Sequence, residues 1–441
     1  MRVHRLDALA GLWRHPRARR ARLDAFRERQ LRGLLAHAYA HVPYYRALFD
    51  RHGVRPECVR TLADLAALPI SHKRDLLPLP APQLVATGVD PARLISRRTS
   101  GSSGQPLTIR RSWIEERILG AFRWRALHAM GLAITDRHAE IEELQPHDPS
   151  DDQRLHGVLQ RLGLYRQLRV HALDPPDAIL HTLERHRPDV VTGYAGVIAR
   201  VAQSAATGGG ASPLRPRFVA VHSDTLTPHM RAQIERAFAA PVYQLYDCNE
   251  FNVIASECVE TGALHTCDDS VIVEVLVDGR AAEPGERGEV VITGLHSFAM
   301  PFIRYGLGDL VTQGDPACRC GQPFATLRAV QGRMFDYFPL PDGRTIHPYQ
   351  LIAILAETAP WIREFQLVQE RRDLVRLRMV PSTPPAAAEM AVLEHALAAF
   401  LGPTVALRID VVEEIRLEPN AKLRTCRSLV ASSYDGLGPN G

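Results

Sequence analysis

The chain has 441 residues, of which 46% are hydrophobic and 23% are charged, and its formal net charge is +4. This length allows two or three domains with a large core, and so small a net charge argues against a nucleic-acid-binding protein. The sequence predicts no membrane span, because it contains no run of about eighteen apolar residues.

The seven cysteines are an odd number, which favours a cytoplasmic protein with reduced thiols over a disulfide framework. The N-terminus is charged but is not followed by the apolar segment of a secretory signal. Its arginine-rich run, residues 14–20, is interpreted as a solvent-facing helix surface rather than a patch for a membrane or an anionic partner. The oligomeric state stays open, with a homodimer among the options.

The first predicted elements are helical. Apolar spacing predicts a helix over 24–50 and a short helix over 61–69. Ser71 is predicted to cap the helix that follows. Residues 92–113 predict a strand, a polar loop and a second strand, and residues 114–131 predict an amphipathic helix.

From residue 160 to residue 245, short strands alternate with helices, which predicts βαβ units and a mainly parallel sheet. The predicted strands are 168–170, 190–192, 218–221 and 242–245, and the predicted helices are 177–186, 196–206 and 227–238. Valine and isoleucine are dense over 271–276 and 289–293, which predicts a β-rich subdomain.

The pattern changes again near Gly332, where we predict a domain boundary. Two strands over 363–380, a helix over 386–401 and a strand over 407–412 follow. The predicted fold is therefore α/β, with a large N-terminal domain over 1–332 and a small α+β domain over 333–441.

A loop rich in glycine and hydroxyl groups lies between the two strands of 92–113. It reads Thr99-Ser100-Gly101-Ser102-Ser103-Gly104-Gln105-Pro106. Glycines let backbone N–H groups approach a phosphate closely. The loop lacks the Gly-Lys-Ser/Thr of a Walker motif, and taken alone it is equally typical of a flexible turn.

The loop resembles the T-S-G-S-T-G-K-P signature of the adenylate-forming superfamily, in its phenylacetate-CoA ligase branch. Ser103 replaces threonine and Gln105 replaces lysine. The resemblance implies that residues 99–104 hold the β- and γ-phosphates of ATP. We expect Arg97 and Arg98 to supply the charge that the missing lysine would carry.

Residues 243–250 resemble the family's Y-G-x-T-E segment, with Tyr246 and Glu250 in register. Asp247 replaces glycine and Asn249 replaces threonine. The resemblance implies that Tyr246 stacks on adenine, that Asp247 and Asn249 belong to the nucleotide site, and that Glu250 holds Mg²⁺, a cation that prefers oxygen ligands.

Two further elements follow in the family's order. Residues 304–309 resemble Y-R-x-G-D, which implies that Asp309 accepts from both ribose hydroxyls. The next resembles the hinge element G-R-x-D-D and implies that Arg333 contacts ribose or phosphate. Phe335 stands at the first aspartate position, so Asp336 is the nearest hinge candidate.

Lys422 is the predicted catalytic lysine. Of the 53 basic residues only Lys73 and Lys422 are lysine, so a lysine that is retained is a stronger functional candidate than usual. The resemblance implies that Lys422 bridges the acid's carboxylate and the α-phosphate, which a compact ammonium does better than a planar guanidinium. Lys73 lies in an N-terminal stretch typical of the branch and is interpreted as structural.

The implied enzyme is an AMP-forming acid–thiol ligase. It would transfer AMP from ATP to an aromatic acid with release of pyrophosphate, and then pass the acyl group to a thiol such as CoA with release of AMP, while a mobile C-terminal domain moves Lys422 away. The acid pocket is expected to be lined by Phe122, Trp124, Tyr194 and His222. Two alternatives stay open: transfer to a carrier protein or an amine, and an interaction protein that binds nucleotide or zinc without turnover.

Four residues also predict a metal site. Cys258, His265, Cys318 and Cys320 form two ligand pairs from separate loops, a common basis for closed tetrahedral zinc. Cys267 is a competing ligand, and unliganded core thiols are the alternative.

Overall fold

The computed structural model describes residues 10–99, 107–143, 160–207, 213–223, 226–333, 338–346, 348–415 and 426–430. The chain divides into two compact units, residues 1–330 and 331–441. The predicted boundary at Gly332 lies beside this division. No helix of the described residues has the length and apolar character needed to cross a membrane.

Two helices replace the single helix predicted over 24–50. They are α1, Arg20–His41, and α2, Pro43–Arg51. Val42 between them is extended, with φ −108° and ψ 109°. The interruption arises because a proline disfavours the helical conformation in the residue before it, whereas Pro43 itself suits the first position of α2.

The capping prediction at Ser71 is wrong by one residue. Helix α3, Lys73–Leu76, is capped by His72, whose backbone N–H donates to Asp75 Oδ2 at 2.8 Å. Ser71 pairs instead with Tyr305 in a parallel strand. The helix predicted over 61–69 is a shorter 3-10 helix, Ala63–Ala67.

The first unit has the following strands. In chain order they are β1 Ser71–His72, β2 Ile95–Arg98, β3 Thr108–Arg111, β4 Arg137–Glu142, β5 Arg166–His171, β6 Val190–Tyr194, β7 Phe218–His222, β8 Val242–Cys248, β9 Asn252–Glu257, β10 Leu264–Thr266, β11 Val271–Val277, β12 Arg280–Ala281, β13 Arg287–Gly294, β14 Tyr305–Gln313 and β15 Thr326–Arg333. Its further helices are α4 Ala81–Leu84, α5 Trp113–Ala129, α6 Pro176–His186, α7 Ala195–Thr207 and α8 Pro228–Phe238.

Thirteen of the strands within the described ranges form one mixed sheet. Its order is β12-β11-β13-β14-β15-β10-β9-β8-β7-β6-β4-β5, with β1 added beside β14, while β2 and β3 pair separately. Strands β5, β4, β6, β7 and β8 run parallel, which confirms the predicted βαβ units. Antiparallel pairing among β8, β9, β10 and β15 and among β11 to β14 gives the predicted β-rich part.

Helix α5 is held firmly at its start. Ser112 N–H donates to Glu115 Oε2 at 2.7 Å, which caps the helix. The other oxygen of Glu115 accepts from Phe298 N at 2.7 Å and Ala299 N at 2.9 Å. The buried carboxylate therefore ties α5 to the loop that follows β13, and α5 packs against the sheet at β9.

The second unit is α+β, as predicted. Its strands are β16 Phe338–Pro339, β17 Thr345–Ile346, β18 Ile362–Arg371, β19 Leu374–Pro381, β20 Ala406–Val411 and β21 Cys426–Ser428, and its helices are α9 Pro348–Thr358 and α10 Ala387–Leu401. Four strands form a sheet in the order β20-β19-β18-β21. Leu393, Leu397 and Leu401 on one side of α10 are fully buried with Leu367 and Leu377 of the sheet.

Asp269, just before β11, anchors a buried ion pair in the first unit. Both terminal nitrogens of Arg125 donate to its carboxylate, Nη2 to Oδ1 at 2.7 Å, and His15 Nδ1 lies 2.9 Å from Oδ2. Burial alone would raise the pKa of Asp269, but the Arg125 charge and hydrogen bonds outweigh it and hold that pKa at about 2.

We expect Asp269→Asn to lower the free energy of unfolding by about 3 kcal/mol at neutral pH, because Arg125 loses its partner. The pKa is depressed in the folded state, so the stabilisation is fully present above pH about 4 and is lost as the pH falls toward about 2. Urea unfolding at pH 7 and pH 3 measures both effects. Asp278→Asn, at an exposed hairpin position, is the control, and equal midpoints for the two variants at pH 7 would contradict the expectation.

Candidate functional site

The base of the predicted phosphate loop is a closed hairpin. Strands β2 and β3 pair antiparallel, with Arg98 opposite Thr108. Thr99 N donates to Leu107 O at 3.0 Å, and the Thr99 hydroxyl accepts from Leu107 N at 2.9 Å. Thr99 is thus buried and closes the loop. Residues 100–104, predicted to hold phosphate, lie outside the described residues.

Asn249 joins the nucleotide segment to this hairpin. Its amide nitrogen donates to Arg98 O at 2.9 Å, and Arg111 of β3 donates to Asn249 O. Glu116 accepts from Arg111 Nη1 at 3.0 Å and from Arg97 Nη2 at 3.1 Å. Arg97 is therefore engaged by Glu116, whereas Arg98 is exposed.

Tyr246 and Asp309 come together although 63 residues separate them. The Tyr246 hydroxyl donates to Asp309 Oδ2 at 2.6 Å, and both residues are buried. Tyr246 lies near the end of β8, where β8 leaves the parallel half of the sheet. Ligands of open α/β sheets bind at the carboxyl ends of parallel strands, so this pair occupies a position suited to a nucleotide.

The motif at 304–309 contains residues with structural tasks as well. Arg304 Nη2 donates to Glu274 Oε1 at 2.8 Å, and Nη1 donates to Ala66 O at 2.9 Å. Gly306 lies so close to His72 that a β-carbon there would approach His72 Nδ1 to 2.6 Å. The arginine and the glycine therefore hold β14 against the N-terminal segment, which leaves Asp309 as the candidate ligand group.

Glu250 follows β8 and is 7% exposed. Burial, and next the charge of Glu250, raise the pKa of the neighbouring Cys248 thiol, and Asp309 and Asp247 add to the effect. Cys248 is thus a protonated thiol near three carboxylates and has no character of a nucleophile.

Asp247 belongs to a polar network that the sequence did not predict. Arg123 Nη1 donates to Asp247 Oδ2 at 2.8 Å, and Arg123 Nη2 donates to Glu140 Oε1 at 3.2 Å. The Ser223 hydroxyl donates to Asp247 Oδ1 at 3.2 Å, and His222 Nδ1 lies 3.4 Å from Oδ2. The one signal in the sequence for this network was the alternation of polar and apolar residues over 138–142.

The four predicted pocket residues do not share one surface. Tyr194 and His222 lie side by side at the ends of β6 and β7, with ring centroids 5.6 Å apart. Phe122 stacks on His296 and is 1% exposed, whereas Trp124 stacks on His128. Residues two apart on a helix point about 200° away from each other, so Phe122 and Trp124 cannot line the same pocket.

Some predicted residues cannot be placed. Lys422, Phe335 and Asp336 lie outside the described residues, and only the backbone of Arg333 is described, as the last residue of β15.

The predicted metal ligands form a cluster. Cys258, His265, Cys318 and Cys320 each offer one ligand atom, and these atoms lie within 4.8 Å of one another. His265 Nε2 lies 3.2 Å from Cys320 Sγ. Zinc–sulfur bonds of about 2.3 Å place tetrahedral ligands about 3.8 Å apart, so the donor set and its spacing fit zinc.

Backbone turns position these ligands. Cys258 N donates to Ala263 O at 2.8 Å, which turns the chain back into His265 of β10. Gly321 N donates to Cys318 O at 3.1 Å, and Gly321 has φ +79°, a conformation that glycine adopts without strain. Cys267 accepts from Arg125 Nη2 at 3.1 Å instead, so it is not part of the cluster.

Known proteins resemble this chain in sequence and in fold. Residues 339–428 match the model of the CapK C-terminal domain. The phenylacetate-coenzyme A ligase of Thermus thermophilus is 27% identical over 83% of this chain and 83% of its own, and that of Escherichia coli is 27% identical over 79% and 80%. A crystal structure of 2-hydroxyisobutyryl-CoA ligase, in the postadenylation state with R3-HIB-AMP, is 21% identical and covers 96% of this chain and 92% of its own, with a TM-score of 0.77.

The chain thus has phenylacetate-CoA ligases as homologues and the fold of adenylate-forming CoA ligases. The resemblance predicted from the motifs and the predicted fold class are confirmed. These relatives are acid–CoA ligases, and they support the predicted enzyme class, an AMP-forming acid–thiol ligase.

Proposed function

We propose that this relative of the phenylacetate-CoA ligases activates a carboxylic acid with ATP and passes the acyl group to CoA. The observation that supports the proposal best is the hydrogen bond between Tyr246 and Asp309, beside the Asn249 link to the phosphate-loop hairpin. Three motifs distant in sequence thereby converge at the carboxyl ends of the parallel strands.

In the first half-reaction, an oxygen of the acid's carboxylate attacks the α-phosphorus of ATP, and the bond to pyrophosphate breaks. The chain's contribution is to position the groups and to offset charge. We assign Asp309 to the ribose hydroxyls, Tyr246 to adenine, and the loop at 99–104 to the departing phosphates. Lys422 donates to the carboxylate and the α-phosphate.

The buried carboxylate of Glu250 suits Mg²⁺, which would neutralise charge on the phosphates. In the second half-reaction, Lys422 withdraws with the second unit, and the sulfur of CoA attacks the acyl carbonyl so that AMP leaves. A carrier-protein thiol or an amine is the alternative acceptor. Of the four aromatic pocket candidates, Tyr194 and His222 keep the proposed role.

We further propose that the cysteine–histidine cluster binds a structural zinc ion. Four protein ligands fill a tetrahedral shell, which leaves no open position for catalysis. The ion would hold the turn after β9 against the loop between β14 and β15. A cytoplasmic location fits the seven free cysteines.

ATP–pyrophosphate exchange across a panel of carboxylic acids tests the proposed activity. Acid-dependent exchange supports it, and thioester formation with CoA then identifies the acceptor. Absence of exchange with every acid, in a protein that still binds ATP, would favour the nucleotide-binding protein without turnover.

Within the same assay, Asp309→Asn is expected to lower kcat/KM for ATP about tenfold, because hydrogen bonds from ribose to a charged acceptor become bonds to a neutral one. The amide keeps the shape of the side chain and an oxygen for the Tyr246 hydroxyl. Asp315→Asn is the matched control, since Asp315 is exposed and pairs with Arg328. Unchanged ATP kinetics in Asp309→Asn would refute the ribose assignment.

A further inference from the structure

Strand β4 has an unusual composition for its position. It lies between β5 and β6 in the parallel part of the sheet. Ala139 and Ile141 are fully buried on one face. His138, Glu140 and Glu142 alternate with them on the other face and are no more than partly exposed. Strands inside parallel sheets are normally apolar on both faces, so three titratable side chains here require an explanation.

Most of the charge on this face is already matched. Glu140 accepts from Arg123 Nη2 at 3.2 Å and from Gln167 Nε2 at 2.6 Å. Asp247 accepts from the other terminal nitrogen of Arg123 at 2.8 Å. A single guanidinium thus serves two carboxylates, from β4 and from β8.

With Glu142, the carboxylates on this face of the sheet outnumber the guanidinium groups that pair with them. Its carboxylate accepts from Arg169 of β5, so three carboxylates share two guanidinium groups. Burial, and next the charge of Glu140, raise the pKa of Glu142 to about 7. Its side chain keeps 26% of its surface exposed, and an ionised carboxyl group can accept about four hydrogen bonds. A ligand that donates a hydrogen bond to Glu142 would therefore stabilise its ionised carboxylate.

The position of Glu142 places it in the proposed acid pocket. Glu140 lies opposite Thr192 of β6, so Glu142 lies two residues nearer the carboxyl end, in the row where Tyr194 pairs with His222. In parallel pairing, neighbours in a row share a face of the sheet. Glu142, Tyr194 and His222 therefore occupy one face at the edge where open α/β sheets bind ligands.

We propose that Glu142 is a specificity-determining residue that selects acids bearing a hydroxyl or amino group away from the reacting carboxylate. The inference rests on the proposed adenylation function and names its substrate class. An unsubstituted aryl acid would cover the exposed part of Glu142 without replacing its hydrogen bonds to water, and that loss is unfavourable. Sites built to bond a substrate OH or NH reject the analogue that lacks it far more strongly than an apolar pocket does.

The test is ATP–pyrophosphate exchange with matched acid pairs: 4-hydroxyphenylacetate and phenylacetate, and 3-aminobenzoate and benzoate. For at least one pair we expect kcat/KM to favour the donor-bearing acid by about 100-fold. Glu142→Gln should reduce that preference about tenfold, because a neutral acceptor binds the donor-bearing acid less well and is less costly to cover with the unsubstituted acid. Glu235→Gln, on α8, should leave the preference unchanged.

The outcomes separate the two proposals. Exchange that favours the unsubstituted acid of every active pair overturns the specificity assigned to Glu142 and leaves the adenylation function standing. No exchange with any acid overturns the adenylation function and this inference with it. A preference that survives Glu142→Gln in full overturns the role of Glu142. If that variant fails to fold, as judged by ATP binding and circular dichroism, the wild-type preference alone still decides whether the substrate class is right.

Discussion

Lys422→Arg is expected to lower the rate of ATP–pyrophosphate exchange by about 100-fold, and Lys422→Ala by about 1000-fold, which is the range for removing a donor from a developing oxyanion. The arginine variant keeps the charge and loses only the shape, because a planar guanidinium cannot place one donor group between two oxygens as an ammonium does. Loss of exchange activity in Lys422→Arg would therefore show that the shape of the donor group matters as well as its charge. ATP affinity should change little in either variant.

The composition of the chain makes this substitution informative. Of the 53 lysine and arginine residues, all but those at 73 and 422 are arginine, so the composition alone leads one to expect that a Lys→Arg change is tolerated. Lys73→Arg is the matched control, at the start of α3, and should stay within about twofold of wild type. Full exchange activity in Lys422→Arg would show that Lys422 is not the catalytic lysine.

The elements predicted correctly from the sequence are those with strong local signals. Helix α5 was predicted over 114–131 and runs over Trp113–Ala129, because its apolar spacing and capping residues act within a few positions. The helix predicted over 24–50 failed at Pro43, where the local rule for proline outweighs continuing periodicity. The failure at Pro43 therefore has a local cause.

Strand β4 could not be recognised in this way. Its alternation of polar and apolar residues over 138–142 is typical of a half-buried strand with one face in solvent. It lies inside the sheet because Arg123 and Gln167 satisfy Glu140, and Arg123 itself reaches Asp247, 124 residues away in sequence. Such a pairing depends on three-dimensional proximity that no local window contains.

The same distinction between local sequence signals and long-range contacts applies to the candidate site. Residue type and spacing were enough to select the four residues of the cysteine–histidine cluster, because thiol and imidazole chemistry limits the choice. Spacing did not distinguish Cys267 from this cluster, since its separation comes from Arg125, which holds its sulfur at 3.1 Å. Likewise Phe122 and Trp124 were assigned to one pocket from their residue type, although helix geometry separates them.

Cys320→Ser is expected to remove the zinc ion and to destabilise the first unit by several kcal/mol, since metal binding contributes directly to folding free energy at structural sites. Wild-type protein should contain about one zinc per chain, measured by metal analysis. The thermal midpoint of Cys320→Ser should fall by about 5–10 °C, and treatment of wild type with a strong chelator should produce a similar fall.

The matched control for this prediction is Cys267→Ser. Cys267 is as buried as Cys258 and lies two residues from His265, yet its sulfur bonds Arg125. This variant should therefore keep its zinc, although its stability falls modestly through the altered contact with Arg125. Zinc retained in Cys320→Ser, or absent from the wild-type protein, would contradict the assignment. Zinc lost from Cys267→Ser and kept in Cys320→Ser would mean that the fourth ligand is Cys267 and that the loop after β14 contributes only Cys318.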